Sequence, residues 1–417
     1  MNSRGRYTLI LLAIGIMFIG LLFSRAFLSI GMILFFLLSW LNTEHLNTSI
    51  KRNLGLFVIN KYYFLLCLLF FIPLITGFWS NDLVEWEHRT IVKLPLLIIP
   101  LAFVAMPQLK RNSYKMLNWF FVLLITIGTL WSFTKYLSDM GPIHASYLRA
   151  SVMMVPFDND HVRFSWAVVI AILLMTKLLL SRMIISRQEK ILAFLVIGWL
   201  VIYLHILAAK TGLITLYLCF FIWLFHVIVT KKNKSGAIVC LFIPILLLIL
   251  AYYFLPTFHN RVHYIAWDYQ QYNKGNFPPG LPDGARILSW KGGLQIFCEY
   301  LYRGVGFGDI KSHMQAWYNA HYNYLPLHDR LLPSSEFLIY GCGAGLTGIL
   351  FFLATVLTPF FINKEARDIY TICFHFAGIF CFLTDVNLEG QYGVFLYCFF
   401  AGWFPIHPVN KELKTLQ

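Results

Sequence analysis

The chain has 417 residues, 59% of them hydrophobic and 12% charged, and its 33 Lys and Arg against 19 Asp and Glu leave a net charge of +14. Soluble domains average roughly 45–50% apolar and about 25% charged residues, so this composition excludes a water-soluble enzyme, a secreted disulfide scaffold and a disordered tail. It describes a polytopic membrane protein, helical because its apolar stretches are long and continuous rather than short and alternating.

The basic segment Met1–Arg6 leads into an apolar run with no small-residue cleavage site, so it reads as a first span rather than a removed signal. A crossing needs about 20 mostly apolar residues, and about 12 stretches qualify. They are 7–24, 26–41, 62–80, 90–106, 116–137, 162–180, 190–209, 211–230, 236–255, 335–361, 370–384 and 391–406, of which the second, fourth, eleventh and twelfth are short. With the N-terminus in the cytoplasm, one side collects Arg4/Arg6, Lys51/Arg52/Lys61, Lys110/Arg111/Lys115, Arg182/Arg187/Lys190, Lys231/Lys232/Lys234, Lys364/Arg367 and Lys411/Lys414, with Lys177 near a helix end. Only Glu44, Glu189, Glu365, Asp368 and Glu412 accompany them. The whole positive excess is therefore the positive-inside bias of a membrane protein, not a nucleic-acid surface, and both termini are expected in the cytoplasm. Seven of the eight cysteines lie in apolar runs and no Cys/His ligand spacing occurs, so neither disulfides nor a metal site is expected.

Three regions follow: a bundle of about nine spans over 1–255, an outer segment over 256–334, and about three spans over 335–417. A connection as long as the outer segment usually carries function. Residues 267–284 are rich in turn formers. Asp283 then caps an expected helix over 285–302, with Ile287, Trp290, Leu294, Phe297 and Leu301 on one face and Arg286 at its edge. Such a helix suits the membrane surface, with a cation near the headgroups.

Several cations cluster at the outer ends of the spans, among them Arg89, Lys93, Arg163, Lys210 and Arg286, an arrangement suited to a phosphate-bearing ligand. Lys210 sits in the very short hairpin LHILAAKTGLITL, where it is either an interface anchor or a fixed charge at the rim. Lys93 reads as one half of a local ion pair at a helix start, and Arg163 as an interface anchor or a ligand contact. His205, His226 and His375 lie within spans and read as packed, hydrogen-bonded residues. In LHDRLLPSSEFLIYGCGAGLTGIL, Ser334 or Ser335 caps a helix and Glu336 complements its dipole. Gly341, Gly345 and Gly348 form a small-residue face for a neighbouring helix. His328, upstream, is either a solvated loop residue or a base able to take a proton from a hydroxyl.

Together these segments resemble the O-antigen ligase/polymerase superfamily of bacterial membrane glycosyltransferases. The likeness rests on HRTIVKLPLLIIPLAF, on AAKTGLITL with Lys210 in place of the family arginine, on RILSWKGGLQIFCEYLYRGVGFGD, and on SEFLIYGCGAGLTG followed by TDVNLEGQYGVFLYCFF. One departure is that Ser334-Ser335 stands where the family has His-Asn, leaving His328 as the nearest upstream histidine. The resemblance implies a GT-C-like all-α fold in the bacterial inner membrane, active at the periplasmic face without metal or cofactor. It implies transfer of a glycan from an undecaprenyl diphosphate carrier to lipid A core, or instead to a growing polysaccharide or a protein. On that basis Arg286 and Lys210, helped by Arg163 or Arg89, are expected to clamp the diphosphate, with His328 or Glu336 as general base. The non-enzyme alternative, an exporter of lipid-linked sugar, calls for charges along a mid-membrane path between repeated halves, and neither is evident in the sequence.

Overall fold

The computed structural model describes residues 3–41, 46–149, 151–231, 234–275, 277–361 and 368–409. The predicted charges Glu44, Lys232, Lys364, Glu365, Arg367, Lys411, Glu412 and Lys414 lie outside them, as do both chain ends. Among the described residues all regular structure is helical, apart from an isolated bridge between Lys110 and Val409.

Helices α1 (Ser3–Phe23) and α2 (Arg25–Trp40) form a tight hairpin turning at Ser24, its open end tied by the Arg6 side chain to the carbonyls of Leu38 and Ser39. The short α3 (Leu46–Ile59) meets α4 (Lys61–Thr76) at 91°. Then follow α5 (Leu83–Val92), α6 (Pro95–Ala105), α7 (Arg111–Ser138) and α8 (Met140–Tyr147). Next, α9 (His161–Leu180) occupies the centre, 83% buried along its apolar window. Around it stand α10 (Arg187–Leu207) and α11 (Lys210–Lys231). After α12 (Lys234–Phe254) the chain turns by 96° into α13 (Pro256–Asn273), which packs against α8, α10 and then α14 (Pro282–Glu299). The remaining helices are α15 (Ile310–His321), α16 (Glu336–Leu357), α17 (Ile369–Thr384) and α18 (Gln391–Trp403). The last of these is buried almost throughout, although it is too short to span.

Among the described residues seven helices are long and apolar enough to cross a membrane, or up to nine if each bent pair makes one span. Large apolar side chains such as Leu12, Phe194, Leu195 and Phe225 point outward from these helices, as lipid contact requires. The chain is thus all-α with the dimensions of a multi-pass membrane protein.

Two ends of the bundle can be told apart by their ion pairs. At one, α9 begins and α17 finishes, with Arg163 beside Asp385; at the other, Lys177 of α9 pairs with Asp368 at the start of α17. The 256–334 segment packs at the Asp385 end, where its Arg286 meets Asp385.

Several sequence expectations change. Residues 267–273 are helical rather than turn, as the last part of α13. Helix α14 begins at Pro282 and ends at Glu299, with Leu281 in the capping position, because proline's fixed φ already suits the first helical residue. Its apolar stripe leaves Trp290 and Leu294 exposed, while Ala285, Leu288, Ser289, Gly292, Gly293 and Ile296 face the protein. The small residues let α14 approach closely: a methyl group on Gly292 would come within 2.8 Å of Trp317, and one on Gly293 within 2.7 Å of Pro333.

The expected straight span over 335–361 is broken. Gly345 adopts φ 64° and ψ −150°, a conformation open essentially to glycine alone, and α16 folds back on itself there. The rings of Phe337 and Phe352, fifteen positions apart, lie 4.8 Å from each other. Main-chain hydrogen bonds from Val305 to Cys342, Gly306 to Gly343 and Leu346 to Leu301 seat the 301–306 loop on this turn. Gly348 therefore serves the contact of the two halves of α16, while Gly341 meets both Ile349 of the second half and Phe297 of α14, so a separate helix does approach this face. Among the histidines, His205 is hydrogen-bonded as expected, to Val201 and Tyr217. His226 instead is exposed, and His375 is buried without a hydrogen bond among the described residues.

Candidate functional site

At the Asp385 end, the connection between α17 and α18 dips into the protein. Asn387 and Leu388 are wholly buried, and the Asn387 amide donates to the Cys381 carbonyl at 2.9 Å. This anchoring turns Asp385 to one side and Glu389 to the other, and each collects cations.

Lys210, Arg286 and Arg163 gather on the Asp385 side. Lys210 opens α11 two residues after Ala208, whose left-handed φ of 48° makes the short turn from α10. Its ammonium pairs with Asp283 in the first turn of α14, where an acid also complements the helix dipole. Arg286 lies one turn further along α14, so it shares a face with Asp283. Its guanidinium donates to Asp385 at 3.1 Å. Arg163 reaches Asp160 at 3.1 Å, the Val386 carbonyl, and Asp385 at 3.9 Å. Lys210 and Arg286 are near enough to repel each other, and Arg261 of α13 adds a third cation in range of both. Asp160 holds Arg163 twice, since it also accepts from the Arg163 backbone as the α9 cap. Before it, Phe157, Asp158 and Asn159 all have positive φ, held by Phe157 stacking on Tyr392 and by Asn159 accepting from the Val155 backbone. Three such residues in a row persist only where packing over-determines them.

The Glu389 side holds Arg89, Lys93 and Glu336. Arg89 binds Glu85 at 2.9 Å and Glu389 at 2.8 Å. Lys93, fully buried, pairs with Glu389, not with the nearby acids of its own helix as expected. Burial by itself disfavours the Glu389 carboxylate, yet the adjoining Lys93 and Arg89 outweigh this and hold its pKa below the usual glutamate value. Ser335 occupies the capping position of α16 but its hydroxyl donates instead to Phe382. Glu336, the first residue of α16, is fully enclosed; one carboxylate oxygen accepts from the Leu388 backbone and the other has no partner among the described residues. Arg163 lies within electrostatic range of Glu336, so the two sides are neighbours across the Asp385–Glu389 connection.

Lys210, Arg286 and Arg163 are thus brought together, while Arg89 sits on the far side of that connection with Glu389. His328 does not join either group. Its side chain is 76% exposed on a short 3₁₀ turn, 3.8 Å from Asp329, in contrast to the enclosed Glu336. No family model matches the chain and no curated protein matches it. Among the described residues no group of three or more His, Cys, Asp or Glu is placed to hold a metal ion.

The sequence reading missed the carboxylates. Asp160, Asp283, Asp385 and Glu389 neutralise the cations it singled out. The available signal was local: Asp385 and Glu389 are the sole acids between Ile369 and Lys411, in an otherwise apolar stretch. Acids that isolated in a membrane protein need partners.

Proposed function

We propose that the protein is a membrane glycosyltransferase that moves a glycan from a polyprenyl diphosphate carrier to an acceptor hydroxyl at the Asp385 end. The observation that carries this reading is the convergence of Lys210, Arg286 and Arg163 on one rim, beside an enclosed carboxylate with an oxygen unpartnered among the described residues. In this reading the donor's isoprenoid tail lies in the bilayer along the exposed apolar face of α14, and its diphosphate displaces Asp283 and Asp385 from their cations. Guanidinium forks suit phosphate oxygens, and charge on the departing diphosphate is stabilised most where water is scarce. The acceptor oxygen attacks the anomeric carbon, the bond to the diphosphate breaks, and the hydroxyl proton passes to Glu336. Glu336 is the better placed of the two candidate bases because it lies within range of Arg163 of the clamp, whereas His328 faces solvent. The resemblance favours undecaprenyl diphosphate as carrier, lipid A core as acceptor, and the periplasmic face of the bacterial inner membrane; a growing polysaccharide or a protein are the alternative acceptors.

The test is purified protein with undecaprenyl diphosphate–linked glycan and each acceptor in turn. Transfer to one acceptor, lost in Arg286→Ala and Lys210→Ala, supports the reading; full activity in both variants removes the clamp, and no product with any acceptor removes the enzyme.

A further inference from the structure

We propose that the Asp368 end of the bundle carries a second site, a half-open cavity that takes one anionic phospholipid. The cavity has a volume of about 730 Å³ and opens where α3 turns into α4, facing the start of α17. That volume lies within the range of pockets that enclose small organic ligands. Leu56, Ile59, Phe103 and Val104 give it apolar walls.

His375 lines this cavity, is 2% exposed, and among the described residues has no hydrogen-bond partner on either ring nitrogen. Its close neighbours are the rings of Tyr62, Phe360, Phe374 and Tyr397, which meet it mostly edge to face. Buried polar groups are almost always satisfied, so an imidazole left open toward a cavity points to a group that binds there. The apolar walls make that group part of an amphiphile. The mouth supplies the charge preference: Lys61 lines it, and Lys51 and Arg52 are exposed on the adjoining α3. Helix α3 meets α4 at a right angle, the attitude of a basic helix lying in the membrane interface, where anionic lipids concentrate. The lipid phosphate then sits by Lys61, a glycerol ester carbonyl accepts from the His375 imidazole, and an acyl chain covers Leu56 and Phe103. Lys177 and Asp368 mark this end as opposite to the Lys210–Arg286 rim, so the site stands independently of the proposed transfer reaction.

The experiment uses the full-length protein, delipidated in a neutral detergent, with phosphatidylglycerol or phosphatidylcholine added back. Thermal unfolding is followed, and lipids retained per chain are counted by native mass spectrometry. The expected result is a rise in Tm and one retained lipid with phosphatidylglycerol, little effect of phosphatidylcholine, and loss of both signals in His375→Phe. Because that core substitution risks misfolding, Ile59→Trp, at a position 76% exposed on the rim, provides a second block of the mouth. Lys61→Gln is expected to keep lipid retention but erase the headgroup preference. Equal stabilisation of wild type and Ile59→Trp, or equal response to both lipids in the wild type, overturns the proposal.

Discussion

Asp385 stands between two arginines, 3.1 Å from Arg286 and 3.9 Å from Arg163, at the position where a phosphate would bridge them. If the carboxylate holds that place until a diphosphate arrives, its removal frees both guanidinia for an anion. Asp385→Asn is therefore expected to bind inorganic pyrophosphate about tenfold more tightly, the equivalent of about 1.4 kcal/mol. Titration of the purified variant measures this. Weaker binding than wild type would mean that Asp385 organises the arginines rather than competing with the ligand.

Lys210 and Asp283 allow structure and function to be separated. Lys210→Ala leaves Asp283 facing Asp268, whose carboxylate already accepts from the Asp283 backbone at 3.2 Å, and so removes a cation from between acids. Each partner of the pair is about a quarter exposed, which screens the loss, and a cost of about 1 kcal/mol is expected. Adding Asp283→Asn should restore thermal stability. Transfer should stay lost in the double variant. Recovery of activity along with stability would assign Lys210 to the fold alone.

Glu336 and His328 compete for the role of base, and a pair of variants decides between them. Glu336→Gln retains an oxygen to accept from Leu388, so folding should survive. A positioned base contributes about 10²–10⁴-fold, and a loss in that range of turnover is expected, with KM for the donor little changed. His328→Ala should cost less than about threefold, since a solvated imidazole gains no such leverage. The reverse pattern would transfer the role to the loop.

Glu389 predicts a pH dependence. Its folded pKa is depressed below the unfolded value of about 4.3, so the folded form binds its proton less readily. The stability this supplies is complete above the unfolded pKa and is lost as pH falls through the folded one. Thermal unfolding from pH 7 downward should therefore show an acid limb, beginning near pH 5, that flattens in Glu389→Gln. At neutral pH that variant strands Lys93 and Arg89 without their shared carboxylate, and a loss of about 3–5 kcal/mol is expected for breaking a buried pair. An unchanged acid limb would place the titrating group elsewhere.

What could be read from the sequence was what single residues and local periods encode. The apolar runs identified the helical bundle, the α14 stripe of Ile287, Trp290 and Leu294 marked a helix with an outward apolar face, and the rim cations Lys210 and Arg286 were picked from their positions beside spans. Long-range relations were not legible. Lys93 pairs with Glu389 across 296 positions, and no local spacing distinguishes it from a pairing with Glu85 or Glu87. Asp283 was legible as an N-terminal acid of a helix but not as the partner of Lys210, for the same reason. The fold-back of α16 escaped notice because an apolar run looks alike whether it continues straight or turns, and α3, which meets α4 at 91°, was hidden because its Lys51 and Arg52 marked a connection between spans.

Gly345 was read as a small residue for helix contact, and its backbone gives a sharper prediction. At φ 64° and ψ −150° a side chain is strained whatever the space around it, and here a methyl group would also come within 2.5 Å of the Leu301 carbonyl and 2.7 Å of the Tyr302 backbone. Gly345→Ala therefore attacks both the fold-back and the loop bonded to it through Leu346 and Leu301. A loss of about 1–3 kcal/mol is expected, read as a lower Tm in detergent. Gly5→Ala, with no described residue within 4 Å, serves as the neutral control. Since the second half of α16 packs Phe352 against Phe337, the neighbour of Glu336, Gly345→Ala should also diminish transfer in the fraction that remains folded. Wild-type stability in this variant would show that α16 does not turn at Gly345.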